Sequence, residues 1–484
     1  MQPDSVLNKY PQYEVVIGME VHVQLTTKTK IFCTCANEVV KDANRNICEI
    51  CTGQPGSLPV LNKQVAEYAV LAGLALNCKI SPISIFDRKH YFYPDLPKNY
   101  QITQQYQPIC LGGHVPIRLA DGTEKNIRLN RIHIEEDAGK NLHSANSNES
   151  FVNLNRAGTP LLEIVSEPDL ASAEEVKAYL RELRSTMQYL NICSGNMEDG
   201  AFRADTNISV RKRGEPFGTK CELKNINSFK FIGDAIEYEI ERQIELLEEG
   251  GKVRQETRLW DTKNKCTVIM RSKEEAADYR FFQDPDLPLI EVQDAFIETM
   301  RAQLPELPFK KLERLVTEQG LTYNEAEILV EDIELGRYYD QASKISSSKQ
   351  IVNWILRDLL GHLKENKITL AECKVTPEKL AAIVVLAESG KINNHAAKEV
   401  FEEVARTGAE PSDVVKTKGL EQIGSADELE VIVKQILDEN PENVALYKSG
   451  KDKIFGFFVG EAMKRTKGKG NPKILQELLK KLLS

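Results

Sequence analysis

From Ile17 to Leu25 the chain reads Ile-Gly-Met-Glu-Val-His-Val-Gln-Leu, with every odd position apolar and Glu20, His22 and Gln24 at the even ones. A period of two fits a strand and no helix, so these three polar side chains share one face while the apolar set faces a core. The pattern recurs downstream. Phe202, Ala204, Thr206, Ile208 and Val210 alternate with Arg203, Asp205, Asn207 and Ser209, and Cys221 and Leu223 alternate with Lys220, Glu222 and Lys224. Leu129, Ile132 and Ile134 lead past His133 into Glu135-Glu136-Asp137. A solvated sheet face usually favours Lys, Thr and Gln; acids, an imidazole and cations repeated on several strands predict one shared platform.

Carboxylates gathered on one surface raise one another's pKa unless something neutralises them. A divalent ion would do so, and oxygen ligands with an imidazole suit Mg²⁺, which keeps several waters and bridges to substrate phosphates. That points to nucleotide chemistry. The sequence has no G-x-x-x-x-G-K-[ST] loop, no kinase H-R-D or D-F-G set, and no G-x-G-x-x-G after a strand. Phosphates are therefore expected on metal ions and on Arg203, Lys220 and Lys224 rather than in a glycine-rich backbone cradle. The competing reading of the same residues is a stabilising salt-bridge network.

Cys33, Cys35, Cys48 and Cys51 form C-x-C and C-x-x-C pairs joined by a short loop. Two such pairs supply a closed tetrahedral thiolate shell, and the spacing predicts a structural Zn²⁺ knuckle over 33–51. Four buried or redox-active thiols are the alternative. The other cysteines are scattered, as reduced core cysteines are. No apolar run approaches the roughly 18 residues a membrane span needs, and the start lacks a signal peptide's basic-then-apolar order, so a cytoplasmic protein without membrane partners is expected. The net charge is −9, and Pro441–Ser484 carries ten Lys/Arg against four Asp/Glu, +6, which leaves −15 on the remainder. Nucleic-acid contact would have to come from such a local patch; a solvated helix end is the bland reading of it.

The periodicity changes near residue 295. Before it, two helices stand among the strands, one opened by Ser172-x-x-Glu175 and one running from about Ser228 to Glu249, before Gly250-Gly251. After it the pattern is helical almost throughout. Val352, Ile355, Leu356, Leu359, Leu360 and Leu363 make one apolar stripe, Thr376-Pro377 opens another helix, Ser425-x-x-Glu428 a third, and Leu475, Leu478, Leu479, Leu482 and Leu483 mark the last. Arg406-Thr-Gly-Ala-Glu-Pro breaks the period near 408. The expected organisation is an α+β domain over 1–294, a helical domain over 295–407 and a helical tail over 408–484.

Glu14-Val-Val-Ile-Gly-Met-Glu-Val-His-Val-Gln-Leu25, Asp87-Arg-Lys-His-Tyr-Phe-Tyr-Pro-Asp-Leu-Pro-Lys-Asn-Tyr100, Arg131-Ile-His-Ile-Glu-Glu-Asp-Ala-Gly139, Asn155-Arg-Ala-Gly-Thr-Pro160, Phe202-Arg-Ala-Asp-Thr-Asn207 and Glu222-Leu-Lys-Asn-Ile-Asn-Ser-Phe229 together resemble the B subunit of the glutamine-dependent aspartyl/glutamyl-tRNA amidotransferases. The resemblance runs from about residue 12 to the end, and Phe457–Pro472 is similar to the family's helical tail module. The chain has no room for the synthetase-like insertion of the archaeal relative that acts on glutamate alone.

The resemblance implies an antiparallel-sheet cradle similar to the catalytic fold of glutamine synthetase, followed by all-α helical and tail domains. It implies ATP- and Mg²⁺-dependent phosphorylation of Glu or Asp misattached to tRNA, then displacement of the phosphate by ammonia. The ammonia would come from a separate amidase (glutaminase) subunit, and a third, small subunit would brace the heterotrimer. Carried over by position, Glu20, His22 and Glu135 would bind metal, with Glu136, Asp137 and Asp205 close by; Arg203, Lys220 and Glu222 would handle phosphate or carboxylate. Tyr91, Tyr93 and Tyr100, with Lys89 and Lys98, are candidates for holding the terminal adenosine of the tRNA, packing being the alternative. This chain lacks the amidase's glycine-flanked serines, and Ser346-Ser347-Ser348-Lys349 is read as a structural helix start. A zinc-bearing tRNA-binding or tRNA-editing factor is the alternative function.

Overall fold

A computed structural model describes residues 6–143, 149–272, 278–422, 426–466, 468 and 470–483. The chain divides into two compact units, Met1–Lys310 and Lys311–Ser484.

The first unit is built on one large sheet. Its long strands are β1 (Tyr13–Gln24), β2 (Glu124–Glu136), β3 (Pro160–Ser166), β4 (Phe202–Lys212), β5 (Cys221–Lys224), β6 (Glu256–Asp261) and β7 (Cys266–Ser272). They lie in the order β7-β6-β5-β4-β1-β3-β2, with short strands Cys110–Leu111 and Lys79–Ile80 completing the β2 side. β1 occupies the middle, antiparallel to β3 and β4, and its burial alternates strictly, odd residues buried and even ones half-buried. The apolar set Val15, Ile17, Met19, Val21 and Val23 joins the main core.

The expected antiparallel sheet is in fact mixed, because β5 pairs in parallel with β6. The reason is the connection: helix α3 (Phe229–Glu248) lies between these two strands in the chain, and a crossover helix returns the chain to the edge in the same direction. Together with α1 (Lys63–Ala75) and α2 (Ala173–Tyr189), it adds Val65, Val176, Leu180, Leu183, Ile232, Ile236, Ile240 and Ile244 to the core under the sheet. Ser172 caps α2 by accepting the Glu175 N–H at 3.1 Å, while the Glu175 carboxylate accepts from Ala171 rather than from the Ser172 backbone. The helix Asp294–Arg301 packs on α1 and so belongs with this unit.

The second unit is helical among its described residues. Thr376 caps the helix Pro377–Glu388 with Pro377 in its first turn, as the sequence predicts. The stripe from Val352 to Leu363 buries Val352, Ile355 and Leu359, but Trp354–Leu359 winds as a π-helix, whose wider turn a purely α-helical pattern does not anticipate. Ser348 Oγ accepts the Gln350 N–H at 3.0 Å, a capping role for the serine cluster. Leu429, Val433, Ile436, Phe458, Ala462, Leu475, Leu478, Leu479 and Leu483 form a hydrophobic cluster of their own. Ser425 lies outside the described residues.

Glu182 on α2 borders a cavity of about 500 Å³ lined by Leu74, Ile117, Thr186 and Leu304. Burial raises its carboxyl to about 7, against hydrogen bonds from the Phe309 backbone and Thr186 that lower it. Because this folded-state value lies above the ordinary one, the acid stabilises the fold when protonated, and the contribution is lost as pH rises from about 4.5 through about 7. Thermal melts should therefore show a fall of a few degrees across that window for the native chain. Glu182→Gln should flatten it; an unchanged pH slope would show that Glu182 ionises at its ordinary pH.

Candidate active site and metal centres

The site is a consequence of register. Across the sheet, His22 of β1 stands opposite Glu163 of β3 on one side and Arg203 of β4 on the other, while Glu163 stands opposite His133 of β2. One row of pleats therefore reads His133, Glu163, His22, Arg203. Glu135, two residues on from His133, shares its face.

His22 Nε2 lies 3.3 Å from Glu135 Oε1 and 3.5 Å from Glu163 Oε2. His133 Nε2 lies 3.2 Å from Glu163 and 3.8 Å from Glu135. His133 and Glu135 are each only 3% exposed. Ligand atoms of His22, Glu135 and Glu163 all fall within 4.8 Å of one another, close enough to share one ion. Burial would lower the His22 pKa, but hydrogen bonds to Glu135 and Glu163 outweigh it and raise it to about 10. Burial would likewise raise Glu163, and His133 and His22 hold it well below the usual carboxylate range. A proton on His22 thus does for these acids what a cation would do, and an ion taking the site would displace it.

Glu163 is the residue sequence reasoning missed, together with the inward role of His133. A signal was present: Glu163 is the one acid in Pro160–Ser166, a strand otherwise apolar apart from its final serine. A lone carboxylate in a strand of that kind needs a buried partner.

Beside this cluster the cleft continues as a cavity of about 530 Å³ lined by His22, Tyr91, Glu135, Asp137, Arg156, Arg203, Asp205, Lys224 and neighbours. Asp137 Oδ2 accepts from Gln24 at 3.0 Å and from Arg203 at 3.0 Å, with Arg156 at 3.4 Å. Lys224 Nζ lies 2.8 Å from Asp205 and 2.9 Å from Glu222. Burial alone would lower the Lys224 pKa; these two carboxylates raise it instead, so the cation is firmly charged. Glu222 is buried and also accepts from Thr257 at 2.9 Å.

Three expected residues stand apart. Glu136, one residue from Glu135, points to the opposite face, where it accepts the Ile102 N–H at 2.9 Å and pairs with Lys98. Glu20 shares the His22 face but accepts from Asn207 at 2.9 Å and lines a second hollow of about 320 Å³. Lys220, which is exposed, lines that second hollow rather than the first. Of the aromatic set, Tyr91 lines the main cavity and Tyr93 is 54% exposed, whereas Tyr100 lies under the Arg88 guanidinium at 4.2 Å and near the Lys98 amine at 5.2 Å. Lys89 sits over the Tyr279 ring at 4.8 Å.

The four cysteines meet in the loop after β1. Cys51 Sγ lies 3.6 Å from Cys33, 3.7 Å from Cys48 and 3.9 Å from Cys35. These separations are far beyond a disulfide's roughly 2.05 Å. They match the roughly 3.8 Å edge of a tetrahedron whose centre lies about 2.3 Å from each sulfur, the zinc–thiolate distance. The donor set therefore fits a closed Zn²⁺ site.

Residues 15–298 match the GatB/GatE catalytic domain, and residues 337–483 match the GatB domain. The B subunit of the aspartyl/glutamyl-tRNA(Asn/Gln) amidotransferase of Solidesulfovibrio magneticus is 50% identical over 98% of this chain and 99% of its own length. The corresponding proteins of Persephonella marina, 50% identical over 98% of this chain and 100% of that protein, and of Thermodesulfovibrio yellowstonii, 49% identical over 98% and 99%, agree. The chain belongs to the family of amidotransferase B subunits. The family match spans both units, and the cleft described above lies within its catalytic domain. No described helix is long and apolar enough to cross a membrane.

If His22, Glu135 and Glu163 share an ion, Glu163→Gln should weaken Mn²⁺ or Mg²⁺ binding by at least about tenfold, the lower end of what altering a residue that only supports a ligand costs. Mn²⁺ titration followed by electron paramagnetic resonance would read it. Wild-type affinity in a folded Glu163→Gln chain would remove Glu163 from the site.

Proposed function

We propose that this chain is the kinase and transamidase subunit of a heterotrimer that converts Glu-tRNA(Gln), Asp-tRNA(Asn) or both into the amidated aminoacyl-tRNAs, with ATP as co-substrate. Its partners are an amidase (glutaminase) subunit, a third small subunit and the misacylated tRNA, and it works in the cytoplasm. The observation that carries the reading is the charge-balanced acid, imidazole and cation cleft on β1–β4, inside a chain that aligns over nearly its full length with amidotransferase B subunits. The full-length match does not favour a zinc-bearing tRNA-binding or editing factor.

The chemistry explains why such a cleft is needed. A side-chain carboxylate is a poor electrophile because oxide is a poor leaving group; phosphorylation gives it a better one, which neutral ammonia then displaces. Phosphoryl transfer asks little covalent work of the protein and much positioning of charge. His22, Glu135 and Glu163 would hold a divalent ion, which when bound withdraws charge from the transferring phosphoryl group. The two carboxylates among the donors suit Mn²⁺ as well as Mg²⁺. Arg203 and Lys224, held by Asp137 and Asp205, would receive phosphate or substrate carboxylate. Glu20 and Lys220, in the second hollow on the same face, would extend the site toward the rest of the nucleotide. Tyr91 and the exposed Tyr93 offer rings to the terminal adenosine, whereas Tyr100 is occupied by Arg88 and Lys98. The sheet with helices on one side supports a cradle of the glutamine-synthetase type. The cysteine loop would carry Zn²⁺ as a structural centre.

The decisive assay offers the assembled complex ATP, an ammonium salt and misacylated tRNA. ATP-dependent amide formation is expected, and Glu135→Gln should lower it by at least about tenfold through loss of a charged ligand. Glutamine hydrolysis by the glutaminase partner should keep its basal rate. Hydrolysis of the aminoacyl ester without ATP would overturn the reading.

The tail is proposed to bind tRNA through its basic surface. Lys464 and Lys473 are exposed, while Arg465 pairs with Glu439; Lys467 and Lys469 lie outside the described residues. Within the proposed 408–484 tail, the helix Pro411–Lys418 packs on Asn394–Thr407, and the separate hydrophobic cluster begins at Leu429. A cut at 426 therefore disturbs least. Removing 426–484 should weaken tRNA binding and lower its dependence on salt, by about 0.7–0.9 in logarithmic slope for each phosphate no longer bound. An unchanged slope in a folded truncated complex would leave the tail as a structural cap.

A further inference from the structure

Lys30 is 1% exposed, a costly place for an ammonium ion, which loses several kcal/mol of hydration when buried. Such a charge is normally found with a carboxylate. Lys30 has none paired with it among the described residues: its Nζ donates to the Asn46 carbonyl at 2.9 Å and to Cys51 Sγ at 3.5 Å. The rest of the residue is fixed as well. Its backbone N–H donates to the Cys35 carbonyl at 2.9 Å, and its methylene stem runs beside Gly158. The lysine is thus tied at both ends to the cysteine loop, and among the described residues the Cys51 sulfur is its one candidate counter-charge.

Resting on the reading of that loop as a zinc centre, we propose that Lys30 is a positioning residue whose buried ammonium compensates the charge of the metal-bound tetrathiolate and holds Cys51 as a ligand. Four thiolates around a divalent ion carry a net −2 in a loop where Cys51 is buried and the other three cysteines half-buried. One ammonium at hydrogen-bond distance reduces this to −1 at the place where water is least able to help. The same N–H···S contact draws electron density from the Cys51 sulfur, so it leaves a mark on the metal as well as on the affinity. Surroundings of this kind typically change metal affinity by about 10–100-fold.

The test uses the full chain in its assembled complex. Metal analysis comes first: wild-type protein with no zinc would end both the zinc reading and this inference. With zinc present, Lys30→Met, which keeps the stem and removes the charge, should lose zinc to a competing chelator at about 10–100-fold lower chelator strength. Its Co²⁺-substituted form should show the thiolate-to-metal charge-transfer band at lower energy than wild type, a shift that mere loss of packing does not produce. Lys30→Arg, still charged, should restore both. A folded Lys30→Met chain with wild-type chelator competition and an unmoved band would overturn the role of Lys30 and leave the zinc reading standing. Should Lys30→Met fail to accumulate, Lys30→Arg decides: a wild-type band and affinity support the inference, and loss of either in soluble protein overturns it.

Discussion

The pleat of β1 is the constraint on which the site depends. Its odd residues lie in the core with α2 and α3, and its even residues must therefore face the cleft. A slip of one residue against β3 or β4 would bury Glu20, His22 and Gln24 in the core and expose Ile17, Val21 and Val23. Several buried aliphatic side chains, each worth about 1.5–3 kcal/mol, oppose that slip, and so does the desolvation of three polar groups. The apolar face thus fixes the register that places His22 opposite Glu163 and Arg203.

Once the register is fixed, electrostatics decides how the polar face is arranged. Nearly every acid in the cleft has a cation at hydrogen-bond distance: Asp137 with Arg203, Asp205 and Glu222 with Lys224, Glu135 and Glu163 with His22, and the His133 ring also lies beside Glu163. Buried or half-buried charges without such partners would carry a large desolvation cost. The cluster is therefore compatible with folding in the absence of any ligand.

Much of this was legible in the sequence, for a physical reason. Alternation is a local property, so β1, β4 and the polar face of each could be read from single segments, as could the caps at Ser172 and Thr376 and the cysteine spacing. Pairing between distant segments is not local. That Glu163 would sit between His22 and His133 follows only once β3 is known to lie between β1 and β2, and the parallel β5–β6 junction only once α3 is known to cross between them. Glu136 is a different kind of error, since period two already separates it from Glu135; a run of acids invites grouping that the pleat forbids. Asp137 obeys the same rule: two residues on from Glu135 and just past the end of β2, it turns to the cleft side, where it accepts from Arg203.

The resting pairs also suggest how the cleft can exchange partners without passing through an uncompensated state. Under the proposed reading, Arg203 and Lys224 are neutralised by Asp137 and Asp205, and His22 by Glu135 and Glu163. A divalent ion held by His22, Glu135 and Glu163 would take the place of the His22 proton, while Asp137 and Asp205, which are not in that donor set, would still hold Arg203 and Lys224. An incoming phosphate would compete with those carboxylates for the two cations. Each exchange would replace one opposite-charge contact by another, so much of the desolvation cost would cancel. A cleft made only of acids would bind the ion more tightly and repel the phosphate; one made only of cations would do the reverse. The mixed row across β2, β3, β1 and β4 suits a reaction whose reactants include a cation and an anion that must arrive together.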